Sequence, residues 1–193
     1  METAEALILE HIAGYVSFTP QEGRQMLADL QYANFPRGTV LLRAGQIARY
    51  CYFNVSGLIR QYELVDGRDK TTYFYTEGDA VVAFDSGGLG RPSNFSWVCE
   101  EDCLLVLGPL ENWDRQVRLN AKLEEMSLRY MQRSFGAYQN LIGELITLKP
   151  ENRYLRLREQ RPELINRVAQ YHLASFLGVT PETLSRIRRR LVD

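Results

Sequence analysis

Six apolar or aromatic residues, Leu128, Met131, Phe135, Tyr138, Ile142 and Leu145, recur at alternating intervals of three and four. No proline interrupts the chain from Glu111 to Leu148, so the spacing predicts one long helix with Glu, Arg, Gln and Asn on its other faces. A helix of that length cannot easily bury its whole seam against one small domain. The expected partner for the seam is a second copy of the chain, giving a homodimer.

Upstream of the helix the period is different. From Phe35, "YCYFNVSGLIRQYELVDGRDKTTYFYTEGD" alternates and is rich in β-branched and aromatic residues, broken by Ser-Gly, Asp-Gly and Gly-Asp. Asp66-Gly67 marks a hairpin between Leu58–Val65 and Lys70–Tyr75. "SWVCEEDCLLVLG" supplies two more strands. Many short strands with regular turns predict an antiparallel barrel or jelly roll. In front of it the chain reads as helical. Leu7, Ile8, Ile12 and Tyr15 share a face, and Thr19 caps a second helix that starts at Pro20.

Charge is unevenly spread. From Lys149 to Asp193 there are ten Lys and Arg against five Asp and Glu, a balance of +5, whereas the whole chain carries −1. A basic module on an acidic body points to a polyanion partner. Within it, "QYHLASFLGVTPETLSRIRRRL" reads as two tightly joined helices. Leu173, Phe176 and Leu177 form one apolar face, and Ala174 is small enough for close helix contact. Gly178 suits the left-handed turn, Thr180 is a good N-cap and Pro181 suits the first turn. Leu184, Ile187 and Leu191 form the buried stripe. Glu182, Thr183, Ser185, Arg186 and Arg189 are left on other faces, with Arg190 beside them. Arginine can bond guanine O6 and N7, a carboxylate can accept from cytosine, and hydroxyls and methyls can meet thymine. Double-stranded DNA is the expected partner.

The whole layout resembles the Crp/Fnr family of transcription regulators. The strings that carry the resemblance are "FPRGTVLLRAG", the hairpin region, the seam and "LASFLGVTPETLSRIRRRL". The resemblance implies an α+β fold: a double-stranded β-helix or jelly-roll barrel, a long dimerisation helix and a small helix-turn-helix domain. The expected segments are 1–110 for the N-terminal helices and barrel, 111–148 for the dimerisation helix and 149–193 for the DNA-binding domain. The family's Glu-x-x-Ser-Arg pattern falls on Glu182, Ser185 and Arg186, which is closer to the Fnr side and implies a TTGA-like half-site. Pro181 stands where the Crp type has a base-reading arginine. Gln170 and Thr180 fall where the family contacts phosphates. The sequence stops at Asp193, so the family's C-terminal wing is expected to be lacking. The resemblance also makes RNA polymerase a partner to consider.

The family's cyclic-nucleotide cassette has a Gly-Glu pair for the ribose and an Arg-hydroxyl pair for the phosphate. Here the first falls on Ala83-Phe84, or Phe84-Asp85, and the second on Asn94 and Phe95. Without the cation a charge-assisted phosphate contact is lost, which argues against cyclic AMP. Phe84, Asp85, Ser86, Ser93, Asn94 and Ser96 remain as a candidate pocket for another, unidentified small effector, or as ordinary strand and turn residues. "SGGLG" lacks the Gly-Lys-Ser/Thr ending of a phosphate loop.

No cofactor or metal is expected. Cys51, Cys99 and Cys103 are too few for a four-cysteine cluster, and neither His11 nor His172 lies in the β region, where a metal-dependent jelly-roll enzyme would need them. The chain is therefore expected not to be an enzyme. The metalloenzyme and a protein-interaction module that uses its basic helix on a protein partner are the alternatives. The acidic "METAEALILE" is no secretory signal, no apolar run reaches a membrane span, and the few cysteines suit a reducing cytoplasm, so a cytoplasmic protein with no membrane partner is expected.

Overall fold

The computed structural model describes residues 2–28 and 30–191; Met1 and Val192–Asp193, at the ends of the first and last expected segments, lie outside the described residues. Two helices come first, α1 (Glu2–Ala13) and α2 (Pro20–Ala28). Thr19 begins α2 with a reciprocal capping box: its Oγ1 accepts from the Glu22 N–H at 3.3 Å, and Glu22 Oε2 accepts from the Thr19 N–H at 2.7 Å. Ala4, Ile8 and Ile12 of α1 are buried with Val55 and Val106 of the barrel.

The strands follow: β1 (Gln31–Phe35), β2 (Val40–Leu42), β3 (Tyr50–Ser56), β4 (Ile59–Val65), β5 (Arg68–Tyr75), β6 (Ala80–Val81), β7 (Ser96–Cys99) and β8 (Cys103–Pro109). They form two antiparallel four-stranded sheets, ordered β1-β8-β3-β6 and β2-β7-β4-β5. This is the expected jelly roll within an α+β fold. Asp66 (φ 53°) and Gly67 (φ 72°) both take left-handed backbone between β4 and β5, the conformation a twisted two-residue hairpin requires. A short helix, α3 (Phe84–Leu89), lies between β6 and β7; its Gly-Gly content hides it from a propensity reading.

The barrel interior is filled. Tyr52, Tyr75 and Trp97 are buried in one cluster with Leu42, Ile59, Val81 and Leu105. Gln61 Oε1 accepts from both Tyr75 O–H and Trp97 Nε1–H, each at 3.0 Å, so the buried polar tips of these rings are satisfied. Cys99 and Cys103 are buried in the same cluster, as barrel residues.

The stretch expected as one helix from 111 to 148 is two: α4 (Leu110–Leu119) and α5 (Ala121–Thr147). Asn120 causes the break. It adopts extended backbone, and its Oδ1 accepts from the N–H groups of Lys122 and Leu123, capping α5 afresh. Four helices complete the chain: α6 (Pro150–Gln160), α7 (Pro162–Arg167), α8 (Gln170–Phe176) and α9 (Pro181–Arg190).

This last unit is not a loose appendage. Leu58 and Phe74 of the barrel are fully buried in one core with Tyr154, Leu157, Leu164, Leu173, Ala174 and Leu184. Phe74 meets Phe176 edge-on at 5.3 Å. Ser175 Oγ accepts from the Thr71 N–H at 2.9 Å. Arg167 donates to both carboxylates of Glu77 and Glu101, at 2.6 to 3.0 Å.

Candidate nucleic-acid interface and effector cavity

Helices α8 and α9 are joined by four residues, Leu177 to Thr180. Gly178 has φ +68°, where an L side chain is strained, and the Val179 N–H reaches back to the Ala174 carbonyl at 3.0 Å, ending α8. Thr180 Oγ1 then accepts from the Thr183 N–H at 3.2 Å and starts α9. Leu173, Ala174, Leu177, Leu184 and Ile187 are buried between the helices and the unit's core, and Leu191 packs against them.

What remains outside is polar. Gln170, Glu182, Ser185, Arg186 and Arg189 line one shallow surface together with Tyr171, a half-exposed ring that the sequence reading passed over. Arg190 and Thr180 are also exposed. Thr183 Oγ1 accepts from Thr180 Oγ1 at 3.2 Å and from Arg186 at 3.1 Å, which orients the guanidinium along the exposed face. A hydrogen bond with Thr180, aided by the helix's own backbone and Arg186, keeps the Glu182 carboxyl below its usual range. Gln170 donates to the Pro181 carbonyl at 3.1 Å and so bridges the two helices at the same surface. Arg188 points the other way, donating to Tyr154 Oη and the Ile165 carbonyl.

The seam residues on α5 stand open. Leu128, Met131, Phe135, Ile142 and Leu145 are exposed apolar side chains, with Phe135 at 65%. Tyr138 departs from this set: its ring lies 5.1 Å from Tyr73, against the chain's own barrel.

Of the six residues expected to share a pocket, Ser86, Ser93 and Ser96 are buried against the turn formed by residues 44–48. Ser86 accepts from the Ala48 N–H, Ser96 accepts from the Ala44 N–H, and Ser93 bonds the backbone of Phe95. Their hydroxyls are used by turns. Asp85 and Asn94 are exposed. Phe84, alone among the six, lines a cavity of about 390 Å³ between β5, α1, α5 and the start of α7. Its wall includes Tyr15, Tyr73, Tyr75, Tyr130 and Tyr138, with Asp79, Arg133 and Arg161. These residues are drawn from positions 11 to 161, so no local sequence pattern announces the site.

Among the described residues no cluster of His, Cys, Asp and Glu is placed to hold a metal ion, and no helix is long and apolar enough to cross a membrane.

Residues 32–120 match the cyclic nucleotide-binding domain family. No curated protein matches the chain in sequence. Among solved structures, FixK2 from Bradyrhizobium japonicum superposes with a TM-score of 0.73 at 18% identity, covering 84% of each chain. A chain from Eubacterium rectale assigned to the Crp/Fnr family gives 0.67 at 18% identity, over 90% of this chain and 83% of that one. The catabolite activator protein of Thermus thermophilus gives 0.56 at 20% identity, over 92% of this chain and 85% of that one. The chain therefore has the fold shared by Crp/Fnr-type regulators, and its residues 32–120 are similar to the cyclic nucleotide-binding domain.

Proposed function

We propose that the protein is a DNA-binding transcription regulator that reads a near-palindromic operator as a homodimer, with a barrel that senses a small ligand other than cyclic AMP. The observation that carries this reading is the surface of α8 and α9, where Gln170, Glu182, Ser185, Arg186 and Arg189 share one exposed face on a rigidly capped helix pair. Such a pair fits a major groove, with base edges met by the N-terminal half of the second helix. The exposed apolar row on α5 supports the dimer, because five large apolar side chains in line are costly to leave in water. Two-fold pairing of α5 presents two copies of α9, which matches operator half-sites about 34 Å apart. RNA polymerase is the further partner this reading implies.

A duplex carrying inverted TTGA-like half-sites, titrated at rising salt, tests the proposal. Binding that weakens steeply between about 50 and 200 mM salt identifies phosphate contacts through counterion release. Salt-insensitive binding, or none, favours the protein-interaction alternative.

A further inference from the structure

The cavity beside β5 and α5 differs from the barrel interior in what it offers. Tyr75 donates its O–H to Gln61, and Tyr130 donates to the Ala80 carbonyl at 2.8 Å. With these two hydroxyls engaged, Tyr75 and Tyr130 present ring surface to an occupant. The rings meet edge to face, Tyr73 with Tyr75 at 4.8 Å and Tyr15 with Tyr130 at 6.0 Å, so the wall offers both ring faces and ring edges to an aromatic occupant.

The charges on the wall are answered from within, with one exception. Glu77 is held by Arg167 at 2.8 Å. Asp79 accepts from the Thr76 N–H at 2.7 Å and lies 3.9 Å from Arg161. Arg161 in turn donates to the Phe74 carbonyl and to Thr76 Oγ1. Arg133 has no carboxylate partner among the described residues; its guanidinium stands 5.8 Å over the Tyr15 ring at the cavity wall. An organic cation would meet Arg133 and Arg161, whereas an anion would find Arg133 uncommitted.

We propose that this cavity binds a small aromatic carboxylate, its ring among the tyrosines and its negative group on Arg133. The inference rests on the barrel acting as a small-ligand sensor, and it names the ligand's chemical class. The volume of about 390 Å³ suits a compact molecule. Arg133 is the specificity residue.

Calorimetry on the full chain with indole-3-acetate and benzoate, 3-methylindole as a neutral counterpart, and cyclic AMP tests this. At least one acid is expected to bind, with 3-methylindole about tenfold weaker than indole-3-acetate. Arg133 is exposed, so Arg133→Gln is expected to fold normally and to erase the difference between acid and neutral compound. No heat with either acid at millimolar concentration, unchanged acid binding by Arg133→Gln, or tighter binding of cyclic AMP than of either acid would overturn the proposal. Duplex binding measured without any small molecule reports on the DNA reading separately, so the two can fail independently.

Discussion

Arg167 joins the C-terminal helical unit to the barrel, and its replacement by Gln measures how firmly. The guanidinium makes four contacts of 2.6 to 3.0 Å to Glu77 and Glu101. Fully buried charged hydrogen bonds contribute about 1.5–3 kcal/mol each. Here the arginine side chain is 24% exposed and the carboxylates 37% and 34%, so water screens the set heavily. A loss of about 1–2 kcal/mol is the expected cost of Arg167→Gln, nearer the surface-pair range than the buried one. The pH dependence provides a second reading. Burial pushes the Glu77 carboxyl up, but bonds from Arg167 and from backbone N–H groups overcome this and leave it below its ordinary value. Its contribution is therefore present above the unfolded carboxylate value and is lost as pH falls through the folded one. In Arg167→Gln that acid limb should flatten. Urea unfolding followed by tryptophan fluorescence gives the stability, because Trp97 lies in the barrel core. Hydrogen exchange at α7 and α8 gives the local effect, which should accelerate. A stability change under about 0.5 kcal/mol together with unchanged exchange would refute the idea that this ion cluster holds the two units together.

Two further perturbations follow from the same geometry. Met131→Glu combined with Phe135→Glu puts charges into the exposed seam, where an unpaired buried charge costs several kcal/mol in a dimer, so light scattering should show the mass fall to that of a monomer. Burial, with Arg60 nearby, holds the His172 imidazole below its usual value, and burial with Arg133 does the same for His11. Both thus take up a proton less readily in the fold than in the unfolded chain. Stability should therefore fall as pH drops through about 6.5 and below. Unfolding midpoints at a series of pH values should decline across this window in the native chain and stay level when both histidines are replaced by Gln.

What was legible in the sequence was local. Asp66-Gly67 specifies its hairpin because only residues tolerant of left-handed backbone fit there, and both adopt it. Thr180-Pro181 specifies the start of α9 because a cap and a first-turn proline act within one turn of helix. The break at Asn120 was hidden because the residue is a weak helix breaker whose side chain becomes decisive only once it caps α5. Tyr138 fits the spacing of the seam, yet α5 carries a second stripe, Tyr130 and Ser134, facing the cavity, and Tyr138 joins that one. The union of the barrel and the core of the C-terminal helices was also hidden. Leu58 and Phe74 look like ordinary strand residues until the terminal helices are folded onto them.

The most direct measurement of the central claim is selection of bound duplexes from random sequence, carried out in parallel with the native chain and with Arg186→Ala. Arg186 is exposed on α9 and oriented by Thr183. The native chain is predicted to enrich an inverted repeat with half-sites about one helical turn apart. Arg186→Ala is predicted to lose about 1–3 kcal/mol and its preference at one base pair in each half-site. Enrichment of no inverted repeat, or an identical motif from both proteins, would contradict the account.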